Sequence, residues 1–311
     1  MELIREAGAL RARTDRWRAS GGTVGLVPTM GSLHEGHASL IERARAETGW
    51  VVVTIFVNPL QFGPDEDYER YPRDERRDLR WCERLGADAV WAPSVEEVYP
   101  PGLPLPSPDP GPVGATYEGA ARPGHFAGVL KVVRRLFDVA GPCRAYFGEK
   151  DAQQLFLVRR MVREADLPVE VAACPTVREA DGLARSSRNA LLGPEEREQA
   201  GCLFLALVEA AGLARAGERD ADVVVATMAR EIGATPLARL DYAAVVDEGS
   251  FEPVARIDAP ALAIVAARFP SARLIDNLLL PAPAGEVEPA ARLSRPDAVG
   301  EAGPSVPPVG T

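Results

Sequence analysis

The chain has 311 residues, 46% of them hydrophobic, and its 35 Lys and Arg against 45 Asp and Glu leave a net charge of −10. That length accommodates two domains, and the acidic balance argues against a nucleic-acid partner, whose phosphate backbone needs surplus cations, while leaving room for a small anion held locally. Cys82, Cys143, Cys174 and Cys202 stand singly without metal-ligand spacing, and Arg5, Arg11, Arg13, Asp15 and Arg16 interrupt any secretory apolar run, so a cytoplasmic protein with free thiols and no membrane association is expected.

In chain order, the first strand candidate spans 23–28 and runs into Thr29, Met30, Gly31, Ser32, Leu33, His34, Glu35, Gly36 and His37, where a helix should begin. A helix start offers free N–H groups and partial positive charge, and glycine allows close backbone approach, so two histidines placed here suit a nucleotide's phosphates. The same residues would also serve as a plain helix cap. The second strand, 51–57, delivers Asn58, Pro59, Leu60, Gln61, Phe62 and Gly63, then Asp67, Tyr68, Tyr71, Pro72 and Arg73. Gln61 can both donate and accept a hydrogen bond, as a hydroxy-acid ligand requires, although Asn and Pro are equally at home in a turn.

A third strand is expected at 87–92, and the proline- and glycine-rich interval 99–114 should be an irregular surface excursion. Arg122, Pro123, Gly124, His125, Phe126, Ala127 and Gly128 then place the remaining histidine at another helix start, and 127–139 has Val129, Leu130, Val132, Val133, Leu136 and Phe137 on one broad side. Strand 145–148 leads into Glu149, Lys150, Asp151, Ala152, Gln153 and Gln154; Lys150 can extend toward a polyphosphate, and Gln154 lies one turn along the same face. After strand 169–173 comes Ala184, Arg185, Ser186, Ser187, Arg188 and Asn189, hydroxyls and guanidiniums able to clamp a phosphate from a loop. The strand–helix rhythm specifies an α/β protein with a doubly wound, parallel, Rossmann-like sheet whose ligands bind beyond the carboxyl ends of the strands. The helical stretch 194–232 and the strands 241–247, 261–267 and 272–280 form a smaller α+β C-terminal domain, giving expected domains of 1–177 and 178–281 and a disordered tail, 282–311.

The His-x-Gly-His pattern of residues 34–37 resembles the signature of the nucleotidyltransferase superfamily. All five motifs, in this order, resemble the pantothenate synthetase (pantoate–β-alanine ligase) family over residues 1–281. A nicotinamide-mononucleotide or phosphopantetheine adenylyltransferase would share the histidine pair but gives no reason for Gln61, Gln154 or a second domain. The resemblance implies ATP and Mg²⁺, pantoate and β-alanine as substrates, a pantoyl adenylate intermediate, AMP and pyrophosphate as further products, and a homodimer. It implies that Met30, Gly31, Ser32, Leu33, His34, Glu35, Gly36 and His37 line the ATP phosphate region, with His37 in a proton-donor role. Gln61 and Gln154 would hold pantoate; Gly148, Glu149, Lys150 and Asp151 would contact the nucleotide, Asp151 being an open candidate for the metal; Val177, Arg185, Ser186, Ser187 and Arg188 would complete the ATP site as a closing flap. Two residues depart from the family pattern: Arg185 stands where an apolar residue is usual, adding a cation near the nucleotide, and Lys131 replaces a small or hydroxyl residue on the polar side of its helix.

Overall fold

The computed structural model describes residues 1–63, 68–69 and 71–281, so Asp67 and the 282–311 tail lie outside the described residues. The N-terminal part alternates β1 (Glu2–Ile4), α1 (Ala7–Ala19), β2 (Val24–Thr29), α2 (Glu35–Glu47), β3 (Trp50–Ile55), α3 (Glu75–Arg84), β4 (Ala89–Trp91), α4 (Val95–Val98), α5 (Glu118–Ala121), α6 (His125–Ala140), β5 (Cys143–Gly148), α7 (Ala152–Glu164) and β6 (Val169–Cys174). Its six strands are all parallel in the order β1-β4-β3-β2-β5-β6. Burial on both faces explains the near-continuous apolar runs. Val24, Leu26 and Val52 pack with Leu10, Phe126, Val129 and Leu157 on one side, while Val27, Val51 and Val53 meet Leu40, Ile41 and Cys82 on the other. Each such fully buried side chain contributes on the order of 1.5–3 kcal/mol.

Strand order reverses between β2 and β5, since β3 and β4 lie to one side and β6 to the other. The crevice at such a switch point, past the carboxyl ends of the strands, is where this architecture binds ligands. The histidine turn follows β2 and Lys150 follows β5, so the topology alone sets them face to face.

The C-terminal part is a smaller α+β domain containing α8 (Pro194–Gln199), α9 (Cys202–Arg215), α10 (Ala221–Gly233), β7 (Arg239–Asp247), β8 (Ala261–Arg268) and β9 (Arg273–Leu280), with an antiparallel sheet ordered β7-β8-β9. Ala263 and Val265 of β8 pack under α9 and α10, whereas Ile264 joins a cluster with Val246 and Phe251 that reaches Val113, Tyr117 and Phe156 of the N-terminal part. Being covered on both faces, β8 loses the alternation of an exposed antiparallel strand.

Two details differ from the sequence reading. The 99–114 interval ends in a 3-10 turn, Pro112–Ala115, because Pro112 fixes the first φ of the turn. The three-residue edge strand β1 is too short to carry a period.

Candidate active site

The turn between β2 and α2 has Gly31 at φ +80° and Ser32 at φ +52°, which folds the chain sharply into the helix. Five backbone amides between Gly31 and Gly36 are engaged within the protein, so fewer are open to an anion than a bare helix start would offer. Gly31 N–H donates to Thr29 Oγ1 (3.2 Å), and Ser32 and Leu33 N–H donate to the carboxylate of Asp78 (2.8 and 2.9 Å). His34 N–H donates to His37 Nδ1 (3.3 Å) and Gly36 N–H donates to His34 Nδ1 (3.1 Å).

Those last two bonds fix the chemistry of the rings. A backbone N–H can only donate, so each Nδ1 carries a lone pair and each neutral ring holds its proton on Nε2. Burial pushes His34 down to about 4, reinforced by Lys150 and Arg185. Burial, then the neighbouring His34, pushes His37 down to about 3. The ring centroids are 4.1 Å apart. At neutral pH the pair is uncharged and supplies two Nε2–H donors.

Both histidines line a cavity of about 240 Å³ together with Met30, Gly36, Gln61, Gly148, Lys150, Asp151, Gln154, Val177, Arg185, Ser186, Ser187 and Arg188. It adjoins a larger inter-domain cavity of about 600 Å³ that shares Lys150, Asp151, Gln154, Ser186 and Arg188. The remaining expected residues lie elsewhere. Leu33 is fully buried, Gly31 and Ser32 line neither cavity, and Glu35 reaches Arg185 (3.6 Å). Glu149 contributes a backbone carbonyl that accepts from Asn277.

Gln61 is held from several directions. Its Nε2 donates to Met30 Sδ (2.8 Å), its Oε1 accepts from Asn58 Nδ2 (3.2 Å), and its backbone carbonyl lies 2.9 Å from His125 Nδ1. Asn58 in turn accepts from Tyr99 Oη (2.8 Å) and donates to the Gly128 carbonyl (3.1 Å). A Cβ at Gly128 would sit 2.1 Å from the Leu60 carbonyl oxygen, so only glycine lets α6 approach this turn. Lys131 lines neither cavity, and its ammonium lies 5.9 Å from the Tyr99 ring.

Opposite the histidines, Lys150 Nζ lies 3.1 Å from Asp151. Burial raises the Asp151 carboxyl, but Lys150 and Arg188 outweigh it and hold the group below its ordinary value, hence ionised. Arg185 is split between Glu35 and Glu179, each at 3.6 Å, so its extra charge is balanced by two carboxylates. The C-terminal sheet supports this wall from behind: Asn277 Nδ2 donates to the carbonyls of Glu149 and Lys150 (2.9 Å each). Arg178 forks onto buried Asp276 (2.6 and 3.0 Å) and stacks on the Phe204 ring at 4.2 Å.

The sequence reading missed the apolar floor, Phe56 at the end of the second strand candidate and Val129, Val132, Val133 and Leu136 of α6, whose helical period looked like core. It also missed Asn277 and Asp276, although two buried polar residues inside the apolar run of β9 were a visible signal. Among the described residues no group of three or more His, Cys, Asp or Glu is arranged around a metal position.

A doubly wound sheet whose switch point presents two neutral imidazoles, a lysine and an arginine to one cavity defines a nucleotide-binding α/β enzyme. Residues 2–279 match the pantoate-beta-alanine ligase family. A pantothenate synthetase of Roseiflexus castenholzii is 52% identical over 282 residues, spanning 91% of this chain and all of that protein. The crystal structure of pantothenate synthetase from Thermus thermophilus superimposes with a TM-score of 0.84 at 50% identity, covering 89% of this chain and 99% of that one. A pantoate-beta-alanine ligase from Francisella tularensis, solved in complex with beta-gamma ATP and beta-alanine, gives a TM-score of 0.73 at 30% identity over 90% of this chain and 97% of that one. The chain belongs to the pantoate-β-alanine ligase family. It is an AMP-forming ligase that uses ATP to join pantoate and β-alanine into pantothenate.

Proposed function

We propose that the ligation runs in this cleft through a pantoyl adenylate. The observation that carries this reading is the convergence of His34, His37, Lys150, Gln61 and Gln154 on one cavity. In the first step a pantoate carboxylate oxygen attacks the α-phosphorus of ATP, and the bond to pyrophosphate breaks. Two anions must meet, so the protein's contribution is positioning and preorganised donors, and no protein nucleophile is needed. His34 and His37 donate Nε2–H to the phosphate oxygens as charge grows there. The proton-donor role of His37 is on this reading hydrogen-bond donation by a neutral ring, since burial and the neighbouring His34 hold its imidazolium pKa well below the ordinary range before ATP binds. Lys150 and Arg188 neutralise the leaving pyrophosphate, while Ser186 and Ser187 add hydroxyl donors from the flap.

Gln61 and Gln154 hold the pantoate hydroxyl and carboxylate above the apolar floor, which suits a branched acid. In the second step the β-alanine amine attacks the acyl carbon, loses a proton, and expels AMP. The 240 Å³ chamber is smaller than most small-molecule sites, about 300–1,000 Å³, so triphosphate and acid together extend into the adjoining chamber. The ionised Asp151 carboxylate fits Mg²⁺, which takes one or two carboxylates beside phosphates and water; it would hold the ion and the ion would neutralise phosphate charge. Residues 1–177 form the catalytic domain and 178–281 the closing domain of a cytoplasmic homodimer.

Pyrophosphate release from ATP with pantoate alone, followed by amide formation and AMP when β-alanine is added, tests the reading. Pyrophosphate release that ignores pantoate, or ADP as product, overturns it.

A further inference from the structure

Asp78 lies on α3, lines neither cavity, and is 1% exposed. Its two oxygens accept from consecutive amides of the β2–α2 turn, Oδ2 from Ser32 (2.8 Å) and Oδ1 from Leu33 (2.9 Å). No cation lies within ion-pair distance of it among the described residues. A buried carboxylate without an ionic partner is costly, and burial raises the Asp78 carboxyl above its ordinary value even though the Leu33 and Ser32 amides offset part of that cost. The amides belong to the strained part of the turn. Ser32 holds φ +52°, a left-handed conformation that non-glycine residues keep only where the surroundings impose it, and a Cβ on Gly31 would come 2.9 Å from Asp78 Oδ2. The next residue is His34, whose amide and ring then fix the tautomer and orientation of the pair.

We propose that Asp78 is a positioning residue for adenylation: its carboxylate clamps the Ser32–Leu33 amides in the conformation that aims the His34 and His37 Nε2–H groups at the phosphates. This rests on the reading that the two histidines meet ATP. It also makes a distinction that general damage to the fold would not. The clamp acts on the phosphate side, so its main effect falls on the attack on phosphorus, where two anions meet, and only a minor one on the attack of β-alanine on the acyl carbon, where AMP leaves.

Asp78→Asn keeps the shape but offers one acceptor oxygen and turns an NH₂ toward the other amide, releasing half the clamp. The test measures the two half-reactions separately: pantoate-dependent pyrophosphate release at saturating ATP, and conversion of supplied pantoyl adenylate with β-alanine. In Asp78→Asn the first should lose about 10²-fold in kcat, with KM for pantoate and the second half-reaction each within about threefold of wild type. Should this variant not fold, Asp78→Glu, which keeps both oxygens on a longer stem, is judged by the same ratio and should show a partial loss confined to the first half. A folded variant with a wild-type first half-reaction, or with equal losses in both halves, overturns the proposal. His37→Ala run alongside separates the two levels: unimpaired pyrophosphate release there sinks the underlying reading, whatever Asp78 does.

Discussion

The wall of the cleft that follows β2 is neutral and locked by hydrogen bonds, whereas the wall made by Lys150 and the loop up to Arg188 is charged and locked by ion pairs. The difference is a division of labour. On the proposed reading, Lys150 and Arg188 would supply the charge that a triphosphate needs, while the histidines would supply directed neutral donors. The walls are coupled, since the cations help to keep the His34 ring neutral.

The charged wall breaks most severely at Arg178. Arg178→Ala strands Asp276, whose side chain is 2% exposed, and should cost about 3–5 kcal/mol, read as a lowered midpoint in denaturant unfolding. Wild-type stability would mean that the loop is anchored by other contacts. Next come the groups proposed to face the phosphates. Lys150→Ala and His37→Ala should each reduce pantoate-dependent pyrophosphate release about 10²–10³-fold while the folded protein persists. A near-normal rate in Lys150→Ala would leave the charged wall without its central cation.

The neutral wall carries a pH signature. Each ring has a folded value below the ordinary 6.5, so the unfolded chain takes up protons first as pH falls. The stability that this neutrality requires is complete above about pH 6.5 and is lost on acidification toward the folded values, at up to about 1.4 kcal/mol per pH unit for each ring. His37→Asn should flatten the acid limb of stability against pH by about one ring's share; an unchanged limb would show that the ring is not kept neutral. The smallest effect is expected at Arg185, where the charge is already shared by two carboxylates. Arg185→Met should change stability by under about 1 kcal/mol, as for partly exposed pairs, measured by the same unfolding assay.

The strands and the motifs that follow them were legible because their signals are local: an apolar run, a turn, a helix start. The Lys150 and His34 turns face each other because two strand ends flank one switch point, a rule that sequence rhythm is enough to invoke. The supports were not legible. Asp78 is 45 and 46 residues from the amides it holds, Asp276 is 98 from Arg178, and Asn277 is 127 and 128 from the carbonyls it binds. A charged residue on an amphipathic helix, such as Asp78, looks solvated until the fold buries it. For the same reason the turn into the helix promised open amides, and only the contact with α3 shows that those of Ser32 and Leu33, just before the helix, are engaged.

The neutral wall is tested most directly by ¹⁵N spectroscopy of histidine-labelled protein, which is simple to assign because the chain has three histidines. His34 and His37 should remain neutral down to about pH 5, with the ring proton on Nε2 and an unprotonated Nδ1 that accepts a backbone N–H. A ring of this pair that titrates near its ordinary value, or that carries its proton on Nδ1, would contradict the account.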